Sequence, residues 1–98
     1  MVNLKESYLT NPKLYEEKAE LLKAISHPVR LCIVKGLIES GENNVTNMCD
    51  CLSLPQSTIS QHIGKLKASG IIVGTRHGLE INYKVANEAI IKIVNDLF

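Results

Sequence analysis

LPQSTISQHIGKLK, residues Leu54–Lys67, carries two patterns at once. Ile59, Ile63 and Leu66 recur at i, i+4 and i+7, the spacing of one buried stripe on a helix. The opposite front carries Gln56, Ser57, Thr58, Ser60 and Gln61, with Lys65 and Lys67 toward its C-terminal end. Neither a bulky apolar residue nor a carboxylate stands on that front, so nothing obstructs close approach to a polyanion. Gln pairs with adenine edges in bidentate fashion, and Ser and Thr contact bases or phosphates. Lysines near a helix end reach passing phosphates. His62 reads two ways, as a phosphate contact or as packing against a neighbouring helix. A solvated helix face has much the same composition, so the front alone does not decide. Its neighbours in the chain do.

Upstream, Ser53-Leu54-Pro55 reads as a tight turn. Before it Val45-Thr46 opens a short helix, with Thr46 as the expected N-cap and Met48, Cys49 and Leu52 inward. Two helices joined by a tight turn, the second apolar behind and small-polar in front, predict a helix-turn-helix over residues 46–68. Ser69-Gly70 stops the second helix. Downstream, Ile71–Arg76 and Leu79–Val85 read as strands around a His77-Gly78 turn. In the second strand Leu79, Ile81, Tyr83 and Val85 alternate with Glu80, Asn82 and Lys84, one side buried and one wet. The hairpin, residues 71–85, is thus a wing with Arg76 and His77 at its tip. A cationic tip reaches phosphates or the minor groove. Hairpin tips need polar residues in any case, but the helix-turn-helix and wing together are far more specific than either alone.

Farther out, Pro12 to Ile25 is helical, with Leu14, Leu21, Leu22 and Ile25 apolar against a wet side of Glu and Lys. Ser26-His27-Pro28 breaks it. Ser26 or His27 can cap the next helix, with Pro28 at its first position. Val29 to Ser40 is apolar almost all round, which predicts a central helix with Cys32 in the core. A last helix over 87–98 carries Ile90, Ile91, Ile93, Val94, Leu97 and Phe98, more apolar surface than one domain face needs. Residues 1–11 read as an N-terminal arm. The expected fold is mainly α with a β-hairpin wing, a single winged helix-turn-helix domain over 1–98 in the order α-α-α-α-β-β-α.

The 98 residues suffice for one domain, and the composition (45% hydrophobic, 21% charged) is that of a globular protein. A net charge of +1 means that any DNA-binding surface must concentrate its cations on one face, because bulk basicity is absent. The N-terminal residues lack the apolar stretch of a signal peptide, and no apolar run is long enough to cross a bilayer. The chain is therefore read as cytoplasmic, with no membrane partner. Three cysteines, Cys32, Cys49 and Cys51, are an odd number and give no disulfide framework. No nucleophile with a base, paired-carboxylate pocket or phosphate-cradling glycine loop is present, so an enzyme is not expected.

Three stretches resemble the ArsR/SmtB family of bacterial winged-helix repressors: LLKAISHPVRL (21–31), LPQSTISQHIGKLKASGII (54–72) and RHGLEINYKV (76–85). LPQSTISQH and HGLEINY look especially like the PagR-type branch. The resemblance covers about Glu20 to Val85. It implies a homodimer through the first and last helices (12–25 and 87–98), and their excess apolar surface agrees. It also implies repression from an inverted-repeat operator, and it places Gln56, Ser57, Ser60 and Gln61 at the DNA.

Members of the family often release DNA on binding a metal or an oxidant. Where the metalloid and cadmium sensors carry Cys-Val-Cys-Asp-Leu, this chain has Asn44-Val45-Thr46-Asn47-Met48. Where the zinc sensors carry paired ligands on the last helix, it offers Asn87, Glu88, Asn95 and Asp96 without histidine. No cofactor and no metal are therefore expected. His27 looks like a cap, His77 is a wing-tip residue, and with His62 they are too scattered for a shared metal. Cys49 and Cys51, at i and i+2, point about 200° apart on a helix and cannot chelate one ion or close a disulfide without unwinding. Cys49 reads as inward and Cys51 as the exposed thiol. Two alternatives stay open: a thiol-based redox or soft-metal-responsive repressor using Cys32, Cys49 and Cys51, and a winged-helix protein-interaction module.

Overall fold

The computed structural model describes residues 8–98. Part of the expected arm, residues 1–7, lies outside them. The order is α1 (Pro12–Ile25), α2 (Pro28–Ser40), α3 (Val45–Leu52), α4 (Gln56–Ala68), β1 (Ile72–His77), β2 (Glu80–Val85) and α5 (Glu88–Leu97). It is mainly helical, with one antiparallel two-stranded hairpin.

The core forms where the apolar stripes of the helices meet the base of the hairpin. Ile33, Val34 and Leu37 of α2, Met48 of α3, and Ile59, Ile63 and Leu66 of α4 are buried there with Ile71, Ile72, Tyr83, Ile90 and Val94. Fully burying a side chain of this kind stabilises by about 1.5–3 kcal/mol. The Ile59/Ile63/Leu66 stripe therefore fixes the rotation of α4 and turns its other side outward. Local signals set the helix ends. Pro12 and Pro28 occupy first-turn positions, and His27 caps α2 by accepting the Val29 N–H at Nδ1, 3.1 Å. Asn87 caps α5 by accepting the Ile90 N–H, 3.0 Å.

Four expectations change. The cap of α3 is Asn44, whose Oδ1 accepts the Asn47 N–H at 2.9 Å; Thr46 is already helical. The polar run Glu42-Asn43-Asn44 that follows α2 thus ends in the cap of α3. The hairpin turn is Gly78-Leu79, because His77 pairs with Glu80. Gly78 takes φ +65°, a conformation a histidine adopts only under strain, so the turn puts its glycine first. Leu79 consequently leaves the inward row and is wholly exposed at the tip. Strand β1 starts one residue late, since Ile71 turns the corner: its N–H donates to Leu66 O (3.0 Å) and its carbonyl accepts from Ala86 N (2.9 Å). Finally, Cys32 is exposed, not core. It shares an outer strip of α2 with Gly36, Glu39 and Ser40, opposite Ile33, Val34 and Leu37.

Gly74 sits opposite Tyr83 in the hairpin. A Cβ there would stand 2.8 Å from Ile81 Cγ2 and 3.0 Å from Tyr83 Cε1, so the glycine lets both side chains lie across β1.

The turn between α3 and α4 carries local strain. Ser53 adopts φ 55°, ψ 39°, the left-handed region. For a residue with a Cβ this costs about 1–2 kcal/mol. Ser53→Gly is expected to raise stability by roughly 1 kcal/mol and the Tm by about 4–8 °C. A thermal melt checks this, and a lowered Tm would mean that the serine side chain supports the turn in a way the strain does not capture.

Candidate nucleic-acid interface

Helix α4 presents a polar front narrower than the expected one. Gln56, Ser57, Ser60, Gln61, Lys65 and Lys67 are all exposed. Ser57 and Gln61, one turn apart, lie opposite the Ile59/Ile63 stripe, with Ser60 and Gly64 beside them. Gln56 and Lys67 flank this centre on one side; Thr58, His62 and Lys65 lie on the other. Thr58 and His62 are half-buried and do not stand on the front.

His62 takes the packing alternative. Its ring lies against His27, the cap of α2, with centroids 4.6 Å apart and planes tilted by 51°. Its Nδ1 is buried and makes no hydrogen bond. Burial pushes the His62 pKa below the ordinary histidine value of 6.5, and the nearby His27, Arg30 and Lys65 push it the same way. The sign for stability follows. The neutral imidazole is the form the fold accepts. Above pH 6.5 its contribution is fully present. As pH falls from 6.5 through the lowered folded value, the unfolded chain binds more protons, and stability is lost. His62→Gln is expected to flatten the fall in urea midpoint between pH 7 and pH 5. An unchanged pH dependence in that variant would place the titration elsewhere.

The wing stands beside α4. Arg76 pairs with Ile81, so it lies on the strand face of Gly74 and Ile81, while His77 lies on the other face with Thr75. The two residues expected at the tip therefore flank it on opposite faces, and Leu79 occupies the tip itself. Lys67 Nζ sits 5.9 Å from the centroid of the Tyr83 ring, which ties the end of α4 to the base of the wing.

Two basic residues escaped the sequence reading. Lys23 at the end of α1 and Arg30 in α2 line one groove with Lys65. The Arg30 Nε donates to Ala24 O at 2.5 Å, which anchors the guanidinium at the α1–α2 corner. Lys23 and Arg30 lie on different helices, so no periodic spacing in the sequence joins them. Among the described residues the ion pair within reach joins Lys35 and Glu39 on α2. Among the described residues no carboxylate forms an ion pair with a cation of α4 or the wing. Glu20 lines the same groove as Lys23, Arg30 and Lys65, whereas no acid interrupts α4 itself.

The three thiols lie on α2 and α3. Cys32 and Cys51 are exposed and Cys49 is half-buried; all three are free. Cys32 and Cys51 line a common groove of about 390 Å³ between α2 and α3, whose floor includes Met48 and Leu52. Among the described residues no three His, Cys, Asp or Glu side chains gather as a metal-binding group would. No described helix is long and apolar enough to cross a membrane.

Comparison with known proteins matches this architecture. Residues 25–75 match the family model of a helix-turn-helix domain. The chain is similar to the transcriptional repressor PagR of Bacillus anthracis, 45% identical over 85 residues that cover 84% of this chain and 85% of that protein. The crystal structure of PagR superposes with a TM-score of 0.81 over 88% of this chain and 98% of that one, at 41% identity. It is also similar to the repressor SmtB of Mycobacterium tuberculosis, 39% identical over 86% of this chain and 62% of that protein. In fold it resembles the homodimeric winged helix-turn-helix DNA-binding domain of Mb0332 from Mycobacterium bovis, with a TM-score of 0.80 over 88% of this chain and 79% of that one, at 24% identity. With a helix-turn-helix and wing in place, and nearly half of its aligned residues shared with a repressor over most of both chains, the protein belongs to the ArsR/SmtB family of winged helix-turn-helix transcriptional repressors, in its PagR-like branch.

Proposed function

We propose that the protein binds an inverted-repeat operator in the cytoplasm as a homodimer, reads bases with Ser57, Ser60 and Gln61, and represses by occupying the site. The observation that carries this reading is the front of α4: exposed, small-polar, free of carboxylates and bordered by Lys65 and Lys67. Gln56 and Thr58 flank the reading centre. Lys65, Lys67 and Arg76, with Lys23 and Arg30 behind Lys65, follow the path that phosphates take past a helix in the major groove. His77 meets the backbone or the minor groove from the outer face of the wing. His62 acts by seating the helix on His27. Dimerisation uses α1 and α5. Leu14, Tyr15 and Leu22 on α1, and Leu97 and Phe98 at the end of α5, are large apolar side chains left in water by a single copy, with Leu97 and Phe98 64% and 68% exposed. The protein carries out no catalysis.

Salt dependence tests the phosphate half of this reading. Affinity for operator DNA is expected to fall steeply with salt, by a slope of about 0.9 per phosphate contact. Arg76→Ala should weaken binding to all sequences alike and reduce the slope by roughly 2 in a dimer, one contact per protomer. An unchanged slope would remove the wing from the backbone. Absence of binding at low salt would favour a protein-interaction module.

The shared groove of Cys32 and Cys51 supports a second reading, in which a thiol reaction there shifts α3 and releases DNA. Comparing operator affinity of the reduced protein, the peroxide-treated protein and Cys32→Ser tests it. Equal affinities in all three would discard it.

A further inference from the structure

Beyond Tyr83 the hairpin has little to lean on. Residues 73–80 are exposed throughout, and an isolated two-stranded hairpin is marginal in water. What holds the wing is the connection between α2 and α3. Asn43 and Tyr83 exchange both backbone hydrogen bonds, Asn43 N to Tyr83 O at 3.0 Å and Tyr83 N to Asn43 O at 2.7 Å. This pins β2 at its middle, about 10 Å below the tip at the rise of a strand. Nearer the tip, the Asn44 Nδ2 donates to Glu80 Oε1 at 3.0 Å, and Asn82 Nδ2 donates to Glu42 Oε1 at 3.3 Å.

Asn44 is the joint between the two halves of the interface. Its Oδ1 already accepts the Asn47 N–H, which starts α3. That fixes the amide's orientation and aims its N–H donors at Glu80. Ser, Thr or Asp would cap α3 equally well, but ionised Asp has no donor for the carboxylate, and the hydroxyl of Ser or Thr sits one bond nearer the backbone than the amide nitrogen that reaches Glu80. The bond also holds the Glu80 carboxylate, the acid next to the tip, toward α3 instead of leaving it free to face a phosphate. Asn44 and Glu80 line one concave surface of about 310 Å³ with Gln56, Ser60 and Leu79, so the joint spans the gap between the reading helix and the wing tip.

We propose that Asn44 is a positioning residue: one side chain caps the helix-turn-helix and, through Glu80, sets the height at which the wing tip stands beside α4. This rests on the DNA-binding reading above. Asn44→Asp keeps the cap, removes the donor and sets two carboxylates against each other. Asn44→Asp with Glu80→Gln restores one hydrogen bond with its polarity reversed, the glutamine amide now donating. In operator binding, Asn44→Asp is expected to lower affinity about 10-fold with the Tm unchanged or raised. Arg76→Ala, costly in the wild-type background, should then cost less than 2-fold in the Asn44→Asp background, and its penalty should return in the double variant. A full Arg76→Ala penalty in Asn44→Asp would overturn the proposal and leave Asn44 a cap only. The same variants without DNA separate this failure from failure of the DNA reading. Backbone order parameters for residues 76–81 should drop in Asn44→Asp and recover in the double variant, whether or not DNA binds. Unchanged order parameters would equally overturn the clasp.

Discussion

Ser57→Ala combined with Gln61→Ala is expected to abolish discrimination between the operator and unrelated DNA while the dimer and its general affinity for DNA persist. The two side chains stand opposite the buried stripe of α4, exposed and one turn apart, so truncating them empties the centre of the reading face without touching the core. A bidentate glutamine–adenine contact is worth about 1–3 kcal/mol of discrimination. Two such contacts per dimer bring the expected loss of specific affinity to roughly 30-fold or more. Non-specific binding through Lys65, Lys67 and Arg76 should remain, with its salt slope intact. Competitive binding measurements with selected and scrambled sites check this. Retained specificity would move base reading off α4.

The second large effect concerns assembly. Leu22→Glu with Leu97→Glu is expected to give a folded monomer whose operator affinity falls at least about 100-fold, because a lone protomer holds one half-site. Both leucines are exposed in the single copy, 46% and 64%, so the fold itself loses little. The charges instead oppose burial of the α1 and α5 surfaces against a second copy. Sedimentation velocity reads the oligomeric state and circular dichroism the fold. A persisting dimer would show that these helices are not the interface.

The parts of this molecule that were legible in the sequence are those coded by local period. The Ile59/Ile63/Leu66 stripe, the proline starts of α1 and α2, the His27 cap and the alternation of Ile81, Tyr83 and Val85 all lie within a few residues of what they determine. The misreadings have equally local causes. Val29 to Ile38 is so apolar that it hid a narrow outer strip, although Cys32, Gly36, Glu39 and Ser40 recur at the i, i+4, i+7, i+8 spacing of a helix face. Shifting the turn to Gly78-Leu79 needed only the rule that glycine takes the positive φ. Asn44 was concealed inside the polar run Glu42-Asn43-Asn44, where any of three residues could precede the helix.

Other features had no sequence signature at all. The clasp joins residues 42–44 to 80–83 across nearly forty positions, and pairing at that separation leaves no periodic trace. The left-handed backbone of Ser53 is imposed by the meeting of α3 and α4, since serine carries no preference for it. The contact of His62 with His27 likewise arises from tertiary packing. The candidate interface was thus readable as a list of residues on α4. Its division into a reading centre, flanks and a seated histidine required the fold.

Selection from a random-sequence DNA pool with the purified protein tests the central claim most directly, that a two-fold pair of α4 helices reads adjacent major grooves. The account predicts enrichment of an inverted repeat whose half-sites are spaced by about one helical turn, 10–10.5 base pairs, or a multiple of it, and loss of that enrichment with Ser57→Ala and Gln61→Ala. Failure of the wild-type protein to enrich any dyad-symmetric sequence would contradict it.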